Sequence, residues 1–285
     1  MVSPDERQAL AFIPGISMPA QGMPHAFIQV LDGKRCKAEY FRFPVEDFRP
    51  DEKGFELWLG NNFFSAKKIQ LDLPGYTGQI ELESTVAWPK MLGAPGIMGW
   101  YSFVPFMECN HGVVSLDHGL RGSLVLGEGG ERVDFSGGKG YLEKDWGSSF
   151  PRAYVWMQTN HFDAPASLIA SAAHIPWLGS HFIGFISGFW LEGRLFRFAT
   201  YTGAKMHLDI GEETVSLVFR NPSSEIRILA HKGPHSTLIS PVAGEMTGKI
   251  NESMQATIQV ELLERGQRIF EGTGRNAGLE VAGHI

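Results

Sequence analysis

Gly137-Gly-Lys-Gly-Tyr-Leu-Glu-Lys-Asp-Trp-Gly-Ser-Ser-Phe-Pro151 runs directly into Arg152-Ala-Tyr-Val-Trp-Met-Gln-Thr-Asn-His-Phe162, and the stretch reads as two strands separated by a break. A strand sends successive side chains to opposite faces. In the first strand Tyr141, Glu143 and Asp145 therefore share one face, with Leu142, Lys144 and Trp146 on the other, and the two carboxylates stand ~7 Å apart along it. Proline lacks the N–H that a ladder needs, so Phe150-Pro151 ends this strand. Alternation then resumes, with Tyr154, Trp156, Gln158, Asn160 and Phe162 on one face. A solvent face would carry Lys, Glu and Thr, and an ordinary core face Val, Ile and Leu. A face of aromatics and amides points to a lined cavity, with a satisfied polar core as the competing reading.

Outward from this stretch the chain continues in the same manner. Short apolar runs bounded by Gly, Pro, Asp and Asn recur throughout, and no long segment repeats apolar residues at i, i+3, i+4 and i+7. The fold class expected is all-β, with less than about 15% helix against the ~30–35% of an average globular protein. Residues 79–87 set Ile80, Leu82, Ser84 and Val86 against Gln79, Glu81, Glu83 and Thr85, a half-exposed strand with an acidic outer face. Residues 88–106 are different: Pro89, Pro95 and Pro105 forbid long regular structure, and the segment is rich in Met, Gly and aromatics. An irregular, greasy segment is costly to leave in water. It is read as a lid over an apolar cavity, or as the part that meets a membrane or partner. In residues 107–120, Asp117 and His118 point to opposite faces and cannot form a dyad with each other.

Composition narrows the function. The formal charge is −6, from 25 basic and 31 acidic residues, and no cationic run exceeds a pair, so nucleic acid is not an expected partner. Twenty Phe and seven Trp leave enough aromatic surface to line a cavity after the cores are filled. Cys36 and Cys109 are the only cysteines and are expected as free, buried thiols. No phosphate-binding glycine loop, zinc-protease motif or serine-hydrolase elbow occurs, and the ten histidines show no metal-binding spacing on one strand face. Neither a cofactor nor a metal is expected. With no leader-like start and no apolar run of membrane-spanning length, a cytoplasmic location is the expectation.

The same residues carry a family likeness. Glu143-Lys-Asp145-Trp146-Gly147 with Phe150-Pro151, then Trp156-x-Gln158-x-Asn160-x-Phe162, resembles the central signature of the tocopherol cyclase family. Gly99-Trp100 with Phe103-x-Pro105, Cys109-Asn110-His111-Gly112, Ser115-Leu-Asp117-His118 and Ala277-Gly-Leu-Glu280-Val-Ala-Gly283 extend it over most of the chain after residue 25. Members usually carry a Glu-Gly-Trp-Tyr/Phe strand near their start, which is not seen here. The resemblance implies two lipocalin-like (calycin) β-barrel or half-barrel domains packed together, at residues 1–148 and 149–285. Gly283 is expected to pack near the central stretch, since the last strand closes the second half where Arg152 begins it.

The activity implied is acid-catalysed cyclisation of a prenylated quinol or related isoprenoid. Glu143 and Asp145 are the catalytic candidates, because an acid in an apolar pocket stays protonated at higher pH, and a neighbouring carboxylate strengthens the effect. Tyr141, Trp146, Tyr154, Trp156, Gln158, Asn160 and Trp100 are the candidates for binding the apolar ligand. The competing reading is that Glu143 and Asp145 form ion pairs with Lys139, Lys144 or Arg152 where the halves join. Two other functions fit the same pattern: a lipocalin-like carrier of an isoprenoid, quinol or lipid, and a hydratase that captures the cation with water, as in the related carotenoid 1,2-hydratases. A peripheral membrane contact is compatible with any of the three.

Overall fold

The computed structural model describes every residue of the chain except Lys53 and Glu128. Among the described residues helix is confined to three 3-10 turns, Val45–Asp47, Gly99–Phe103 and Thr200–Thr202, and every strand pairing is antiparallel. Among the described residues no helix is long and apolar enough to cross a membrane. The all-β expectation holds, as three open sheets rather than closed barrels.

The first sheet joins Leu10–Ser17, His25–Asp32 and Lys37–Phe43. Its opening strand contains Pro14 and Gly15. Leu10–Ser17 pairs with one neighbour only, so it is an edge strand, the place where a proline is tolerated within a sheet. The second sheet has eight strands, from Phe48–Pro50 to Lys139–Gly147, and is centred on the long strand Cys109–Leu126. The third has ten strands, from Tyr154–Thr159 to Gln267–Ala282. The chain changes sheet between Gly147 and Tyr154, across the Phe150-Pro151 break.

Each large sheet has its own apolar core. Leu59, Phe64, Ile80, Leu120, Leu124 and Phe135 fill the first, under a cover from Leu10, Ile28 and Val30 of the small sheet. Val155, Met157, Phe189, Phe198, Phe219 and Ile258 belong to the second. A third, smaller cluster lies at the seam, where Trp88, Ile97, Val113 and Leu116 of the first half meet Ile169 of the second, with Tyr141 and Trp156 packed against it. Polar clamps hold the same seam. The Asn160 amide donates to Asp117 Oδ1 at 2.9 Å and to the Gly140 carbonyl at 2.8 Å, and Ser167 Oγ donates to the Leu116 carbonyl at 2.7 Å. The small sheet reaches the second half too, through Gln29, whose side-chain amide exchanges two hydrogen bonds with the Ile239 backbone at 2.8 and 2.9 Å.

Two backbone positions decide how closely strands approach. Gly122 has φ +129°, and a Cβ there would lie 2.3 Å from the Gln79 carbonyl oxygen, inside the centre of the second sheet. Gly278 lies under the Trp156 indole, where a Cβ would come within 2.7 Å of the ring. Gly283 does pack on the central stretch, against Arg152 and Ala153. Gly122→Ala is expected to destabilise the protein by ~3 kcal/mol or more, since strain and a clash with immobile backbone add together. Gly193→Ala, at a turn with φ +88° and open space around it, should lose only ~1 kcal/mol from its left-handed backbone. Urea unfolding of the two variants beside the parent measures the contrast.

Candidate active site

The strand Lys139–Gly147 lies beside Cys109–Leu126 in a register that sets Asp145 opposite His111 and Gly147 opposite Cys109. Two register shifts, around Leu142, interrupt the ladder. Bulges of this kind re-aim side chains near functional sites. Across the seam, Tyr154–Thr159 is flanked by Ala166–Trp177 on one side and Gln267–Ala282 on the other, and Trp156 sits between Ser171 and Glu280. The facing surfaces of the two halves enclose a cavity of about 150 Å³. One end is polar, with His111, Glu143, Asp145, Tyr154 and Glu280. The remainder is apolar, including Met98, Tyr101, Met107, Ile175, Phe182 and Phe185.

The polar end is a chain of short contacts. His111 Nδ1 donates to Asp145 Oδ1 at 2.7 Å, and its Nε2 faces Glu143 Oε2 at 3.6 Å. The Tyr141 hydroxyl donates to that same Glu143 oxygen at 2.5 Å, while the Tyr154 hydroxyl donates to Glu280 Oε2 at 2.6 Å. The buried indole N–H of Trp156 has no partner at hydrogen-bond distance, yet it faces Glu143 closely enough to favour the ionised carboxylate. His111, Glu143 and Asp145 each bring one donor atom within 4.8 Å of the others, a spacing a cation could use. The imidazole of His111, between the two carboxyls, already supplies positive charge there.

Burial governs the titration of these groups. It pushes Glu143 up to about 7, with Asp145 adding to the rise and His111 and the two hydrogen-bond donors opposing it. Glu280 rises to about 8, again mainly through burial, against the pull of the Tyr154 hydroxyl. For His111 burial alone would favour the neutral ring, but Asp145 and Glu143 outweigh it and raise the imidazole to about 9. Glu252, opposite Glu280 on the adjacent strand, is buried and held well above the ordinary range by desolvation and by the neighbouring Glu280 and Glu143. Near neutral pH the site therefore contains an imidazolium beside carboxyls that hold their protons well above the ordinary carboxyl range. Burial and adjacent carboxylates likewise push the Cys109 thiol up, so it lines the cavity as an inert thiol.

Of the residues expected from the sequence, the structure gathers Glu143, Asp145, Tyr154 and Trp156 at the cavity, with Tyr141 bonded to Glu143 just behind it. Four others lie elsewhere. Trp146 falls on the opposite face of its strand, is 49% exposed and carries the Lys144 ammonium over its ring at 4.8 Å. Gln158 and Asn160 share a face with Trp156 but run on into the buried seam, ~7 and ~13 Å further along the strand, where Asn160 serves as the clamp to Asp117. Trp100 stacks on Tyr101 at 4.1 Å, and it is Tyr101 that reaches the cavity. The competing reading, ion pairs of the two acids with Lys139, Lys144 or Arg152, is not what the described residues form: His111 stands beside both acids instead. His111 and Glu280 were not singled out beforehand; both stand in the quoted motifs, but their partners come from strands that only the fold brings together.

The family model for tocopherol cyclase-like proteins matches residues 75–283, which includes every residue of this site. The chain belongs to the tocopherol cyclase-like family. It is 26% identical over 200 residues to an Oryza sativa subsp. japonica protein described as "Probable tocopherol cyclase, chloroplastic", covering 65% of this chain and 42% of that one. It is 25% identical over 199 residues to a Zea mays "Tocopherol cyclase, chloroplastic", covering 65% and 41%. The chain thus spans about two fifths of the length of these curated relatives. The fold is shared with a kievitone hydratase from Nectria haematococca (TM-score 0.57, 11% identity, 99% of this chain and 86% of that one). It is shared also with CghA (TM-score 0.59, 10% identity, 100% and 87%).

A raised carboxyl pKa is also a stability effect. Glu143 and Glu280 favour their protonated forms when folded, so their contribution is complete below about pH 4.5 and is lost as pH rises through about 7 and 8. Glu143→Gln removes one such loss, worth up to ~3 kcal/mol and less to the extent that solvent screens the carboxyl. Thermal melts at pH 5 and pH 8.5 are expected to show a smaller fall in Tm for the variant than for the parent.

Proposed function

We propose that this tocopherol cyclase-like protein carries out acid-initiated cyclisation of a prenylated quinol or a related isoprenoid phenol. The observation that supports this most is the placement of Glu143, a carboxyl whose burial raises its titration toward neutral pH, at the polar end of an apolar cavity and beside the Trp156 indole. A neutral acid next to apolar surface is what protonation of an alkene requires.

In this reading the Glu143 carboxyl transfers its proton to one carbon of the prenyl double bond, forming a C–H bond and leaving a tertiary cation at the other. The face of Trp156 stabilises that cation by ~0.5–2 kcal/mol. The phenol oxygen closes on the cation, the new C–O bond forms, and the phenol proton returns to the Glu143 carboxylate. No net proton is consumed. Asp145 and His111 act as positioning residues, with Asp145 holding the imidazolium whose charge increases the acidity of Glu143. Glu280, kept protonated beside Tyr154, presents a neutral donor to the quinol oxygens rather than a repelling charge.

The test is incubation of the purified protein with a short-tailed prenyl hydroquinone in deuterated buffer. The cyclised product is expected to carry one deuterium on the carbon that received the proton. Glu143→Gln should lower turnover by ~10²–10⁴-fold, the usual span for loss of general acid catalysis, while leaving ligand affinity nearly unchanged. The pH–rate profile of the parent should fall above about pH 7 as Glu143 ionises. Binding without turnover, unaffected by Glu143→Gln but weakened by Trp156→Ala, would instead establish a carrier. A hydrated, uncyclised product would establish the hydratase reading.

A further inference from the structure

The cavity is too small to hold a whole molecule of the substrate class proposed above. At about 150 Å³ it is comparable with spaces that take up a single benzene-sized ring, so it seats the reacting ring and the rest of the molecule lies toward its open side. A longer isoprenoid tail has to leave through the mouth, and the surface it meets there is distinctive. Two separate segments converge on the mouth, the 3-10 turn Gly99–Phe103 with its continuation to Phe106, and the tip of the hairpin formed by Ala166–Trp177 and Ser180–Leu191. Trp177 joins them, with ring centroids 5.9 Å from Tyr101, 6.4 Å from Trp100, 5.4 Å from Phe106 and 5.9 Å from Phe182. Tyr101 and Phe182 of this network line the cavity itself. At its outer edge Phe103, Phe106 and Leu178 are 66%, 56% and 81% exposed.

The identity of Leu178 is informative. Leu178 and Gly179 form the tip of a two-residue hairpin turn, with φ +46° and +82°. Asn or Gly is the residue such a turn favours at the first position. A leucine there adopts a disfavoured backbone conformation and exposes an apolar side chain, so neither the turn nor the core accounts for it. Charge points the same way. Residues 91–107 contain no Asp, Glu, Lys, Arg or His in a chain that is 20% charged. Over seventeen positions about three charges would be ordinary.

We propose that this aromatic apron docks on the surface of a lipid bilayer, so that the tail of the substrate remains in the membrane while its head enters the cavity. This rests on the cyclase reading for the identity of the cargo, not for the docking itself. Trp, Tyr and Phe at the rim are the side chains that settle at a membrane interface. With no cationic residue in the apron and a net charge of −6, attraction comes from apolar burial rather than from anionic headgroups. Binding should therefore be as strong on zwitterionic vesicles as on anionic ones and insensitive to salt.

Co-flotation of the full chain with phosphatidylcholine vesicles tests the proposal, comparing the parent with Phe103→Ser and Leu178→Asn, alone and combined. Neither residue lines the cavity, and Leu178→Asn relieves backbone strain, so it should raise or preserve Tm while lowering vesicle partitioning. The double variant is expected to partition about tenfold less than the parent and to cyclise a short-tailed quinol in solution at the parental rate. Equal partitioning of variant and parent, no partitioning of the parent, or a parental dimer in solution that the substitutions dissociate would each overturn it. Loss of vesicle binding in variants of a protein that does not cyclise the short-tailed quinol would uphold docking and reject the cyclase reading, so the two fail separately.

Discussion

Carboxyl groups removed from water and set within a few ångströms of each other repel, and each loses solvation. This constraint organises the seam. Glu143, Asp145, Glu280 and Glu252 come from three strands of two sheets, and among the described residues the hydrogen bonds to Glu143, Asp145 and Glu280 come from His111 and two tyrosines. The chain resolves the conflict in two ways. One imidazole, His111, stands between Asp145 and Glu143 and is kept charged by them, while Glu143, Glu280 and Glu252 keep their protons to higher pH. The first device holds geometry, and the second stores reactive protons in an apolar space.

The scaffold is arranged so that these acids cannot escape into water by sliding apart. Asn160 grips both Asp117 and the Gly140 backbone, Ser167 holds the Leu116 carbonyl, and the Trp88 and Ile97 side chains fill the space between. Amide and hydroxyl clamps to backbone are short-ranged and directional, which suits a joint that has to hold two sheets in one relative position. Ion pairs elsewhere, such as Arg194 with Glu264 and Arg227 with Glu225 and Glu261, lie at the surface and join residues of the third sheet to one another. Pairs of that kind contribute ~0–1 kcal/mol each, so the seam rather than the surface charge determines how the halves meet.

Membership of the tocopherol cyclase-like family, a shared fold with a kievitone hydratase and with CghA, and the chemistry of the seam converge on one architectural use. Two half-barrel sheets meet face to face, and the pocket lies between them rather than inside either. A pocket at such a joint draws polar groups and apolar lining from both sheets, so the chemistry can vary with a few side chains while the strands stay in place.

How much of this was legible beforehand follows from the range of each interaction. Alternation is a property of a single strand, and it placed Tyr141, Glu143 and Asp145 together, and Tyr154 with Trp156, from their spacing alone. The same locality misled at Gln158 and Asn160, because sharing a face with Trp156 says nothing of where along the seam the cavity ends. His111 opposite Asp145, and Glu280 within reach of the Tyr154 hydroxyl, join residues 34 and 126 positions apart. Such pairings depend on register and on the packing of whole sheets, and no window of sequence contains them. The sequence by itself determined the strands, the aromatic supply and the acids; the tertiary structure alone decided which acid faces which base, because burial and charge act through space.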